Sequence, residues 1–137
     1  MHCQVAKQPD KSKVQPVLTV SGMVLGPVEV SPGQPQYVIE YCAEAPGLVE
    51  SDQGIGIAVA HGLELMEAAD IIVIPAWKDP LVSASPQLVE ALRNADSQGK
   101  FIVGLCLGAF VLGYAGLLDD REATTHWIAR DLFAQRF

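Results

Sequence analysis

The chain has 137 residues, with 9 Lys and Arg against 16 Asp and Glu, a net charge of −7, half its residues hydrophobic and only 18% charged. That length suits one core of ordinary size, and the apolar content excludes a disordered chain, which lacks the buried surface to offset its ordering entropy. The acidic balance excludes a nucleic-acid groove within the chain, because phosphate binding depends on clustered Lys and Arg.

Residues 1–16 are polar, with Pro9 and Pro16, and read as a loose leader, leaving 17–137 as the domain. Lys7, Lys11 and Lys13 precede an apolar run from Val17 to Gly26, but Pro16, Thr19 and Ser21 interrupt it and no small-x-small cleavage site follows, so secretion is not expected. Val17–Val20 is a short strand candidate, Gly22–Val30 is broken by Gly26 and Pro27, and Ser31-Pro32-Gly33-Gln34-Pro35 is a turn. Tyr37–Cys42 then reads as a strand, and Leu48–Glu50 with Ile55–Val59 as an antiparallel hairpin.

Gly62–Ala69 is a short helix, and Ile71–Ile74 is a run without alternation that suits a strand covered on both faces. After the loop Pro75–Ala84, Ser85 can cap a helix with Pro86 at its first position, and Leu88, Ala91, Leu92 and Ala95 supply a buried stripe up to Gly99. Phe101–Leu118 runs 18 residues without a charge, just reaching the length of a membrane span, and contains Gly104xxxGly108. Four glycines in it favour a different division: a buried strand over Phe101–Leu105 and a packed helix over Leu107–Leu117. A strand over Glu122–His126 and a helix over Trp127–Gln135 complete the chain, and the alternation predicts an α/β domain with a mostly parallel sheet.

Cys3, Cys42 and Cys106 lie far apart with no CxxC pair and no Cys/His cluster, which argues against a disulfide framework or zinc site and for a reducing cytoplasm; no cofactor or metal is called for. Gly104-Leu105-Cys106-Leu107-Gly108, where a strand turns into a helix, has the spacing of a nucleophile elbow. Small residues two positions either side let strand and helix approach, and the first amides of the helix favour the thiolate; the alternative is a buried cysteine as apolar filler. His126 is the best proton partner on offer, against a structural histidine at a strand end. Pro75-Ala76-Trp77-Lys78-Asp79 leaves its strand on the carboxyl edge where open α/β sheets bind ligands, so the Ala76 and Leu107 amides are candidates for an oxyanion-type hole. Trp77 either walls that pocket or packs on a helix. Glu29, Asp79 and His61 read as solvated groups.

ADIIVIPAW and LEALRNADSQGKFIVGLCLGAFVLGYAGLLDDREATTHW resemble the class I glutamine amidotransferase-like, or PfpI-type, domain, in the version found at the N-terminus of AraC-type transcriptional regulators. LGPVEV and YVIEYCAEAPGLVESDQGIGI resemble its earlier segments. The resemblance implies a flavodoxin-like three-layer sandwich, with Cys106 as the family cysteine, His126 near it, and Ala76, Trp77, Leu107 and Gly108 lining a small-molecule pocket. It also implies a ligand-sensing, dimerising module that reaches DNA only through a separate helix-turn-helix domain, with no membrane contact. The enzyme alternative is a cysteine-dependent hydrolase, amidase or hydratase using Cys106 and His126. Two departures weaken that alternative: Val20-Ser21-Gly22-Met23-Val24 carries no acid where relatives have one, and Leu107 stands where many carry a polar residue. Because the family domain continues past the Trp127 helix, the domain is expected to be truncated at its C-terminus and to need a partner to close its core.

Overall fold

The computed structural model describes residues 2–7, 38–50 and 54–137. The expected strand at Val17–Val20, the segment Gly22–Val30 with Glu29, and the turn at Ser31 lie outside the described residues. The strands are β1 (His2–Lys7), β2 (Val38–Ala43), β3 (Gly47–Glu50), β4 (Gly56–Val59), β5 (Ile71–Ile74) and β6 (Phe101–Gly104). The α-helices are α1 (Pro86–Ser97), α2 (Gly108–Tyr114) and α3 (Arg130–Arg136), with 3-10 helices at Leu63–Ala68 and Trp127–Ala129.

Four strands form one sheet in the order β2-β1-β5-β6, and β3 with β4 forms the predicted hairpin. The two apolar runs Ile71–Ile74 and Phe101–Gly104 pair in parallel, Ile71 opposite Phe101 and Ile74 opposite Gly104. Between them α1 supplies the crossover that a parallel pair requires. β1 departs from the reading of residues 1–16 as a loose leader: His2–Lys7 pairs antiparallel with both β2 and β5. Its polar residues hid a strand whose position is fixed by backbone pairing on both sides.

α1 begins and ends on local signals. The Ser85 hydroxyl accepts from the Leu88 N–H at 3.1 Å and donates to Glu44, and Pro86 fills the first helical position, where no N–H is needed. At the other end Gly99 takes φ 73°, and its N–H and that of Lys100 close back onto Asp96 and Ala95. The Leu88, Leu92 and Ala95 stripe is buried with Ile72 and Ile74 of β5 and Val111 and Leu112 of α2, so both helices pack on one face of the sheet. Each such aliphatic side chain contributes about 1.5–3 kcal/mol on burial. Coverage of β5 on both faces is not what the structure shows among the described residues: Ile71 and Val73 are only half-buried, and their β6 neighbour Phe101 is 75% exposed.

The uncharged stretch divides as expected, with β6 and α2 separated by a turn, and none of the described helices is long and apolar enough to cross a membrane. α2 stops at Ala115 because Gly116 adopts φ 69° and the Leu117 N–H returns to the Leu112 carbonyl. Arg93 Nε donates to the Ala115 carbonyl at 2.8 Å, joining α1 to that end. α3 docks through aromatic edges: the Phe133 and Phe137 rings lie 5.0 and 5.9 Å from Phe110, and Phe137 lies 5.3 Å from Tyr114.

Candidate functional site

β6 ends at Gly104, and the Leu105 N–H still reaches the Ile74 carbonyl at 2.9 Å, as if the parallel ladder ran one residue further. The chain then turns: the Gly108 N–H donates to the Leu105 carbonyl at 2.7 Å, and α2 begins. Between them Cys106 is exposed and holds φ 54°, a left-handed backbone that costs a non-glycine residue about 1–2 kcal/mol. The flanking glycines are required by contact. A Cβ on Gly104 would lie 2.9 Å from the Ala109 backbone, and one on Gly108 would lie 2.1 Å from the Ile74 carbonyl oxygen. The spacing read from sequence therefore corresponds to a turn too tight for side chains at either position.

Segment 122–126 forms no strand, contrary to expectation. Among the described residues it has no ladder partner, and side chains tie it down. The Thr125 hydroxyl donates to the Cys106 carbonyl at 2.9 Å, and His126 Nδ1 accepts from the Ile128 N–H at 3.3 Å, capping the 3-10 turn at Trp127. A neutral His126 that accepts at Nδ1 carries its proton on Nε2. Thr125 thus brings the His126 segment against the cysteine turn, yet among the described residues the Cys106 thiol and the His126 ring share no hydrogen bond.

Because β5 and β6 run parallel, Pro75-Ala76-Trp77 leaves the sheet on the same edge as Cys106. Ala76 is exposed and Leu107 half-buried, and among the described residues no acceptor takes the amide of either. The Gly108 amide is already occupied by Leu105, and Gly108 itself is buried. Trp77 is half-buried between the two core clusters and donates through Nε1 to the Val82 carbonyl at 2.7 Å, so it packs and braces its loop. Tyr114 Oη donates to the Pro80 carbonyl at 2.6 Å, a second brace on that loop. Asp79 is exposed and accepts from the Leu81 N–H at 2.9 Å in a local turn; His61 is exposed, its carbonyl taken by the Ala43 N–H at 3.1 Å. Among the described residues no group of His, Cys, Asp or Glu converges as metal ligands would.

Sequence reasoning missed Thr125 as a structural partner of the turn. The only local signal was its place beside His126 in Ala123-Thr124-Thr125-His126-Trp127.

The chain is 36% identical over 91 residues to the HTH-type transcriptional regulator CdhR of Pseudomonas aeruginosa, covering 66% of this chain and 27% of that one. It is 34% identical over 96 residues to the HTH-type transcriptional regulator GlxA of Rhizobium meliloti, covering 69% and 30%. It is also 30% identical over 109 residues to the isonitrile hydratase of Pseudomonas putida, covering 78% and 47%. The chain thus matches under half the length of each of these relatives. No solved structure matches it. Residues 28–135, which hold the cysteine turn, the β5 loop and the Thr125 segment, match the DJ-1/PfpI family. The chain belongs to the DJ-1/PfpI family and has its flavodoxin-like, class I glutamine amidotransferase-like fold.

Proposed function

We propose that this chain is the ligand-sensing and dimerising domain of an AraC-type transcriptional regulator, with Cys106 at a nucleophile-elbow turn lining a small-molecule pocket and performing no turnover. The observation that carries the reading is the similarity to two HTH-type transcriptional regulators, each over about two thirds of this chain. The charge of −7 supports it, since DNA contact then falls to a separate helix-turn-helix domain. This reading places the chain in the reducing cytoplasm, where the exposed Cys106 thiol stays reduced.

In this reading the pocket belongs to the carboxyl edge of the sheet, the edge at which the exposed Cys106 thiol and the unengaged amides of Ala76 and Leu107 stand and to which Thr125 ties the His126 segment. A small effector with a carbonyl or carboxylate oxygen suits those two amides. A hydratase reading is favoured by one specific pair of observations: the 30% identity to an isonitrile hydratase and an exposed cysteine on a left-handed backbone. In that reading Cys106 adds to the substrate and His126 moves the proton.

Turnover decides between them. The chain is incubated with a panel of amides, nitriles, isonitriles and aldehydes, beside Cys106→Ser. The sensor reading expects no product from any of them and protection of Cys106 from iodoacetamide by a non-reacting carboxylate or amide. Product formation that disappears in Cys106→Ser overturns it in favour of the hydratase or hydrolase.

A further inference from the structure

The left-handed conformation of Cys106 is set by two peptide planes, one on each side of its Cα. The plane before it carries the Leu105 carbonyl, held at 2.7 Å by the Gly108 N–H. The plane after it carries the Cys106 carbonyl, held at 2.9 Å by the Thr125 hydroxyl. Relaxing φ from 54° towards the ordinary region must rotate one plane against the other and break one of these bonds. The first bond is built into the turn, because Gly108 opens α2 and is seated against the Ile74 carbonyl. The second comes from 19 residues away and is made by a side chain.

We propose that Thr125 is a positioning residue for Cys106: its hydroxyl fixes the plane that would otherwise turn, and so keeps the thiol projecting above the end of β6. The inference rests on the reading of Cys106 as the pocket thiol and adds to it the residue that sets its geometry. Thr125 is itself restrained. The residue after it caps the 3-10 turn that leads into α3, and α3 is anchored on α2 through Phe133 and Phe137. The turn, α2, α3 and Thr125 therefore form a closed circuit of contacts, and the thiol geometry depends on the whole of it.

The test is the rate at which iodoacetamide alkylates Cys106 in the full chain, followed peptide by peptide by mass spectrometry between pH 6 and 9. Thr125→Val keeps the shape and removes the donor; a net hydrogen bond of ordinary strength predicts a rate about fivefold lower across the range. Thr125→Ser restores the donor and is expected within about twofold of the parent, a rescue that a purely space-filling role would not give. Alkylation of Thr125→Val at the parental rate, or equal slowing by Ser and Val, overturns the proposal. Should Thr125→Val not fold, the same change is made in Cys106→Gly, where no left-handed penalty remains. The proposal expects that double variant to fold, and its failure to do so is equally fatal. The assay needs neither effector nor DNA, so turnover in the substrate panel would sink the sensor reading while leaving Thr125 in place. An unchanged alkylation rate would do the reverse.

Discussion

Replacing Gly108 with alanine is the sharpest perturbation of the cysteine turn. The added methyl would sit 2.1 Å from the Ile74 carbonyl oxygen and 3.2 Å from Ile74 Cγ2, where ordinary contact begins at 3.4 Å. A strand carbonyl cannot swing aside as a side chain can, so α2 must back away by about an ångström. Such a shift stretches the Leu105–Gly108 hydrogen bond and opens the contacts of Val111 and Leu112 with β5; a radial gap of that size forfeits roughly a quarter to a half of each dispersion contact. Overpacking typically costs about 1–3 kcal/mol, the weakened hydrogen bond adds about 1 kcal/mol, and the better helix propensity of alanine returns less than about 1 kcal/mol. A net loss of about 3 kcal/mol follows, or roughly 10 °C in Tm for a chain of this size. The assay is urea unfolding beside thermal melting, with Gly99→Ala as the control. Gly99 has a positive φ, 73°, which Gly108 does not, and nothing lies within 4 Å of a Cβ there, so its replacement measures a backbone penalty of about 1 kcal/mol without any steric clash. The reasoning is refuted if Gly108→Ala melts within about 3 °C of the parent, or costs no more than Gly99→Ala.

Two further expectations concern the connection between α1 and the Leu63–Ala68 turn. Lys100 Nζ donates to the Met66 and Glu67 carbonyls, at 3.0 and 2.5 Å, so Lys100→Met, which keeps the apolar stem, is expected to cost about 1.5 kcal/mol by urea unfolding; a change below about 0.5 kcal/mol would show these bonds to be idle. The Glu64 carboxylate accepts from its own N–H and from the Gly62 N–H at 2.8 Å, and these hold it below its ordinary 4.5, with His61 adding to the effect. A lowered carboxyl value stabilises the folded chain above the unfolded value and loses that effect as pH falls through the folded one. Glu64→Gln should therefore be less stable than the parent at pH 7, with the gap in urea midpoint narrowing as pH falls below the ordinary value of 4.5. A gap that does not narrow as pH falls through the carboxyl range would contradict the assignment.

What could be read in the sequence was what is encoded locally. Ser85, Pro86 and Gly99 mark the ends of α1 within their own hydrogen-bonding reach, and the β3–β4 hairpin and the β5 and β6 runs carry their own apolar signatures. The cysteine turn was equally legible, because its steric demand falls on residues two positions away. What escaped was decided at a distance. His2–Lys7 looks like a polar leader until β2 and β5 flank it, and Glu122–His126 has the composition of a strand but finds no ladder, its backbone being organised by the Thr125 and His126 side chains. Trp77 carried two readings in the sequence; its packing against both core clusters and its bond to the Val82 carbonyl are set by residues outside its own segment and could not be read from its residue type.

The left-handed angle at Cys106 also decides how the longest uncharged stretch of the chain is divided. A hydropathy scan meets 18 uncharged residues there and reads a segment long enough for a bilayer. Once folded, the same residues hold four in a strand, about 13 Å long, and seven in a helix, about 10 Å long, and the chain changes direction between them. Neither piece approaches the roughly 30 Å of a hydrocarbon core. The backbone bend at Cys106 thus divides an uncharged stretch of bilayer length into two elements, neither of which reaches that length.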